Sequence, residues 1–164
     1  LGGEHDLGDL VLGLRNRRAD AGMASKCMYE LSHLYYIPPF GNPENLHDFL
    51  LDDYIRLVKF LERQTDFDTV IFDFGDGLDQ FARMLERCTS IYCPVKEGFF
   101  FDCQMNHFSA YLEKESAQVR WEQLNRIVLP YSARRIHGGG DVLFQLLWSE
   151  FGDYVRACLT GGKE

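Results

Sequence analysis

The chain has 164 residues, 46% of them hydrophobic, which is enough for one domain with a real core. Seventeen Lys and Arg against 25 Asp and Glu leave a formal net charge of −8, which argues against a nucleic-acid or anionic-membrane surface and favours solubility. Five cysteines, an odd number without a Cys-x-x-Cys pair, sit in or beside apolar patterns and predict reduced core thiols of a cytosolic protein, not a zinc site. No apolar run reaches the length of a membrane span and no signal peptide is visible. The chain opens on Leu1-Gly2-Gly3 and not on Met, so a longer parent protein is expected.

Asp6 or Asp9 is placed to cap a short helix with Leu7, Leu10, Val11 and Leu14 on one face. Arg15, Arg17 and Arg18 then read as a solvated helix end, although such a cluster is also able to grip phosphate. Ala24, Cys27, Met28 and Leu31 mark a second helical face. Leu34-Tyr35-Tyr36-Ile37 is a short strand stopped by Pro38-Pro39. Asn45 caps a long helix with Leu46, Phe49, Leu50, Tyr54, Leu57, Val58 and Leu61 inward.

The stretch Asp66 to Asp79 organises the chain. Thr69-Val70-Ile71-Phe72 is too short for a helix and predicts a buried, central strand. It ends in Asp73 and a glycine turn, Phe74-Gly75-Asp76-Gly77, before a helical pattern through Leu78, Phe81, Ala82 and Leu85 to about Arg87. A carboxylate at the carboxyl end of a buried parallel strand sits where open α/β sheets bind ligands, and Asp73 is able to hold a metal-bound water there. The plainer alternative makes Asp73 and Asp76 helix caps.

Ser90-Ile91-Tyr92-Cys93-Pro94-Val95 is another strand, with Pro94 pointing to an end or a bulge. Lys96-Glu97-Gly98 turns into a helix whose face is Phe101, Met105, Phe108 and Leu112, where Phe99-Phe100-Phe101 reads as core packing before partner patch. Val119, Trp121 and Leu124 suggest a brief helical piece before a last strand, Arg126 to Pro130. After Gly138-Gly139-Gly140, Asp141 caps a final helix with Leu143, Leu146, Leu147, Phe151, Tyr154, Val155 and Cys158 inward. This alternation of helix and strand predicts parallel strands with helices on both faces, in a sheet of about four to five strands.

Three motifs mislead. Asp73-Phe74-Gly75 spells the kinase metal motif, but the residues before it cannot hold the rest of that lobe. His137-Gly138-Gly139-Gly140 spells an esterase oxyanion motif without a Gly-x-Ser-x-Gly partner. Asp73, Asp76 and Asp79 lack the alternation and closing glutamate of a calcium loop. His5, His33, His47, His107 and His137 are scattered, and none has a sequence-local acid–base partner.

From Leu34 to Leu159 the chain resembles the later part of a MinD/ParA-type P-loop ATPase, in particular the divergent branch linked to pilus assembly. Asp73-Phe74-Gly75-Asp76-Gly77-Leu78 stands in the register of that family's Asp-Thr-Pro-Ala-Gly-Ile turn. Ile91 to Glu97 looks like its next strand and Pro-Glu-like turn, and Tyr35 to Pro39 like the strand before its long crossover helix. Phe151-Gly152-Asp153-Tyr154-Val155-Arg156 is similar to its closing helix. The match extends over residues 1–160.

The resemblance implies a three-layer α/β sandwich with a mainly parallel sheet, residues 1–164 forming the C-terminal portion of a larger ATPase-like domain. It makes Asp73 the switch II carboxylate that orients Mg²⁺ through water, and it places Gly75 and Gly77 at the γ-phosphate, Gly77 through its backbone amide. It implies ATP and Mg²⁺ as cofactors of the complete domain, and protein partners, a second copy of the chain among them.

The departures are specific. No Gly-Lys-Gly-Gly-x-Gly-Lys-Thr-like loop occurs in these residues, and the family places it upstream of residue 1. The switch I aspartate falls near Asp6 or Asp9. Leu129-Pro130-Tyr131 stands where the adenine-reading Asn belongs, and Gly75 replaces the proline of the turn. The expected function is a nucleotide-dependent switch or localisation factor whose phosphate loop these residues lack, so that this chain alone needs no cofactor and is inactive as an ATP hydrolase. The alternative is a non-catalytic interaction module of the same fold. A remoter one is a receiver-like domain with Asp73 as phosphoacceptor and Lys96 as its lysine.

Overall fold

The computed structural model describes residues 4–31, 34–75, 78–115, 124–129 and 142–159. The chain divides into two compact units, residues 1–84 and 85–164. Asp76, Gly77, the segment 116–123 and the glycine loop 137–141 lie outside the described residues.

In the first unit, α1 (Leu7–Arg15) starts at Asp6, whose Oδ1 accepts from the Gly8 and Asp9 amides at 2.7 and 3.2 Å. Asp9 Oδ2 returns the bond to the Asp6 amide at 3.2 Å, a reciprocal cap that satisfies donors the first turn leaves free. Asp20 caps α2 (Ala21–Cys27) through the Met23 amide at 2.8 Å. Strands β1 (Tyr29–Leu31) and β2 (Leu34–Tyr36) form an antiparallel hairpin with Tyr29 opposite Tyr36. Leu31, read from the sequence as helical, is in β1.

The long helix expected from Asn45 is two pieces. A 3-10 turn, Pro43–Asp48, is capped by Asn42, and α3 (Leu51–Gln64) begins after Phe49 and Leu50. Tyr54, Leu57 and Leu61 recur at helical spacing and are buried. They form one core with Leu10, Val11, Cys27, Phe49 and Met84.

Residues 69–72 correct the sequence reading. They form no strand, and Ile71 is 81% exposed where a buried position was expected. Local β propensity is a statement about fitting a half-buried pleat, and it produces a strand only where a neighbouring strand supplies hydrogen bonds. Among the described residues none pairs with this segment.

In the second unit, β3 (Ile91–Val95) and β4 (Leu124–Val128) pair in parallel, Ile91 opposite Leu124 and Val95 opposite Val128. Parallel strands need a crossover, and α5 (Phe99–Glu115) lies between them in the chain. Gly98 opens α5 with φ at +128°, a value that side chains resist. Met105 and Leu112, two turns apart, are buried, while Phe101 and Phe108 are half-buried. Pro94 faces Ile127 inside a sheet of only two strands among the described residues, so one edge of β3 tolerates its missing N–H.

The last helix is also divided, into α6 (Val142–Leu147) and α7 (Glu150–Leu159). Ser149 makes the break, its Oγ donating to the Leu146 carbonyl at 2.7 Å and accepting from the Gly152 amide at 3.3 Å. Leu147, expected inward, is 51% exposed. Among the described residues the architecture is mixed α/β with one parallel strand pair, and no helix there is long and apolar enough to cross a membrane.

Candidate functional site

Four aromatic rings position the best sequence candidate. Tyr54 on α3 meets Phe72 edge-on at 4.7 Å between centroids, and Phe74 lies 6.1 Å from the same ring. Phe72 and Phe74 stack at 5.8 Å with planes 15° apart, and Phe81 on α4 (Phe81–Leu85) closes on Phe74 at 5.5 Å. Edge-on and offset ring pairs are favourable beyond their burial. Phe72 and Phe74 pack against the core cluster, so the residue between them is turned outward.

That residue is Asp73, and it is exposed. The pattern from Ile71 to Gly75 alternates outward and inward, as an extended chain does. Around Gly75 a side chain would meet nothing within 4 Å among the described residues. Gly77, the third residue of the candidate site, lies outside the described residues. Asp73 is therefore held by its neighbours and exposed to solvent. Among the described residues no three His, Cys, Asp or Glu side chains converge to hold a metal ion.

Asp6 and Asp9, the sequence candidates for a switch I aspartate, are committed elsewhere. Asp6 Oδ2 also accepts from the Gly41 amide at 2.6 Å, which ties the loop before the 3-10 turn to the start of α1. Asp9 Oδ2 also faces His5 Nδ1 at 3.2 Å. Both carboxylates organise a helix N-terminus.

Sequence reasoning missed the most buried charge among the described residues. Asp53 is 5% exposed and receives a fork from Arg15, Nε to Oδ1 at 2.9 Å and a second guanidinium nitrogen to Oδ2 at 2.6 Å. The Leu50 amide donates to Asp53 Oδ2 at 3.1 Å, and Arg15 also donates to the Asp48 carbonyl. The bond from Arg15 holds the Asp53 carboxyl below its ordinary range against the opposing effect of burial, with help from the Leu50 amide and the charges of Arg15 and Arg56. The same bond raises the Arg15 guanidinium.

A cavity of about 360 Å³ opens beside this pair, lined by Arg15, Asp48, Leu50, Asp52, Asp53 and Arg56. Arg15 and Asp53 in its wall neutralise each other, so it is a helix-joining device before it is a binding site. The available signal was acidic residues at one helix start and an arginine at another helix end, but the partners lie 38 positions apart.

Cys27 is buried, and burial first, then the charges of Asp9 and Asp6, pushes its thiol up. A protonated buried thiol is a core residue and a poor nucleophile. Cys93 is pushed up by burial too, against the lowering effect of Arg126.

Comparison with protein-family models, with curated proteins and with solved structures gave no match.

Proposed function

We propose that this chain is part of a MinD/ParA-type P-loop ATPase, acting as a nucleotide-dependent switch or localisation factor on a protein partner. Asp73 would orient Mg²⁺ through water, and the backbone at Gly75 and Gly77 would approach the γ-phosphate. The observation that supports this most is Asp73 itself: an exposed carboxylate two residues before Gly75, anchored on both sides by Phe72 and Phe74. The parallel β3–α5–β4 unit is consistent with the three-layer sandwich that the reading requires.

The chain alone is proposed neither to hydrolyse ATP nor to bind it tightly. Phosphoryl transfer is catalysed by positioning and charge neutralisation, and the lysine and amide nest that provide both are missing from these 164 residues. The second reading, a non-catalytic interaction module of the same fold, is favoured by the engagement of Asp6 and Asp9 in the α1 cap. Titration calorimetry of the chain with Mg·ATP is the test. Affinity weaker than about millimolar is expected, whereas micromolar binding would contradict the proposal and imply a different phosphate site.

A further inference from the structure

Residues 67–73 have the composition of a strand and, among the described residues, none of its pairing. Among the described residues, no backbone hydrogen bond joins 66–75 to another segment. Yet the segment is held in place. Phe72 and Phe74 are fixed by Tyr54 and Phe81, and Phe67 rests on Tyr35 of β2 at 5.2 Å. Val70 and Ile71 are nonetheless exposed, at 37% and 81%. β-branched residues beside unpaired backbone N–H and C=O groups are a template for an added strand.

The charges say which strand fits. Asp66, Asp68 and Asp73 flank the apolar run and are exposed, and no Lys or Arg occurs between Arg63 and Arg83. Like charges facing each other across a strand pair are unfavourable, so a second copy of this segment is a poor partner. We propose that residues 67–73 dock an extended peptide of a protein partner, as an added β-strand, whose apolar run is flanked by Lys or Arg. This goes beyond the nucleotide reading and stands without it, since no ATP takes part.

The test uses a fluorescein-labelled peptide in which Thr-Val-Ile-Val-Thr is flanked by lysines, with a glutamate-flanked twin. On the whole chain at low salt the lysine peptide should bind roughly tenfold or more tighter than its twin, and less tightly as salt is raised. Amide exchange at 69–72 should slow on its addition. Ile71→Pro, which removes an N–H at an exposed position, should abolish binding. The Asp66→Lys/Asp68→Lys variant, which leaves the backbone untouched and carries the test if the proline variant fails to fold, should reverse the preference. Four results would overturn the proposal: equal binding of both peptides, binding without protection at 69–72, protection already present in the dilute free chain, or protection that grows with protein concentration alone.

Discussion

Arg15, in the last turn of α1, forks onto Asp53, in the first turn of α3, across 38 residues of sequence. The pair joins the carbonyl-rich end of one helix to the amide-rich end of another, each charge sitting where a helix terminus favours its sign. Arg15→Ala is expected to cost about 1–2 kcal/mol, at the low end for a charged hydrogen bond because the guanidinium is partly exposed and screened. Asp53→Ala should cost more, about 3 kcal/mol, because it strips the Leu50 amide as well as the arginine. Denaturant unfolding of the two single variants and the double variant checks this: the double should cost clearly less than the sum of the singles.

The same pair sets a pH dependence. The folded Asp53 carboxyl titrates below its unfolded value, so its contribution is complete above the unfolded pKa of about 3.9 and is lost as the pH falls through the lower folded value. The Tm difference between wild type and Asp53→Asn should therefore be constant near neutrality and shrink in acid. A difference that widens in acid would show that the carboxylate is not held in its charged form.

Ile71 and Phe72 are neighbours with opposite expected sensitivities. Ile71→Asp places a charge at an exposed position and should change stability by less than about 0.5 kcal/mol. Phe72→Ala removes the ring against Tyr54 and should cost about 2–3 kcal/mol, short of a fully buried phenylalanine because Phe72 is only partly buried. Thermal melts of the two variants decide it, and a large loss at Ile71 would restore the buried strand.

Gly152 tests the α6–α7 junction. A side chain there would stand 2.4 Å from the Leu147 carbonyl oxygen and 2.5 Å from that of Leu146, and both are backbone atoms. Gly13→Ala would press instead on the flexible end of Met23, at 2.3 Å from its sulfur. Gly152→Ala is expected to cost about 2–3 kcal/mol and Gly13→Ala about 1 kcal/mol, since a thioether moves aside and a carbonyl does not. Comparable losses in chemical denaturation would contradict the close approach.

Local signals were legible in the sequence and non-local ones were not. Asp6 and Asp9, Tyr54, Leu57 and Leu61, and the strands at Ile91 and Arg126 are written in caps and periodicity, and the fold uses them as such. The breaks at Phe49 and Ser149 were hidden, because the apolar spacing runs through both while the 3-10 turn and the Ser149 hydroxyl interrupt the helix. The hairpin strand at Tyr29 was absorbed into a helical pattern read as far as Leu31, whereas the helix ends at Cys27. Residues 69–72 failed for the opposite reason, since their composition is a strand's and the pairing that would make one is external to it. At the candidate site the sequence singled out Asp73, but its outward setting between Phe72 and Phe74 and the Arg15–Asp53 fork both needed the fold.

The role of Asp73 as the carboxylate of a nucleotide switch is tested most directly by Asp73→Ala in the protein that carries this chain together with a phosphate loop. ATP hydrolysis is read alongside Tm and far-UV circular dichroism. Asp73 is exposed and its ring anchors stay, so the Tm should fall by no more than the equivalent of about 0.5 kcal/mol while turnover is abolished. Hydrolysis retained at the wild-type rate in the folded variant would contradict the nucleotide-switch reading.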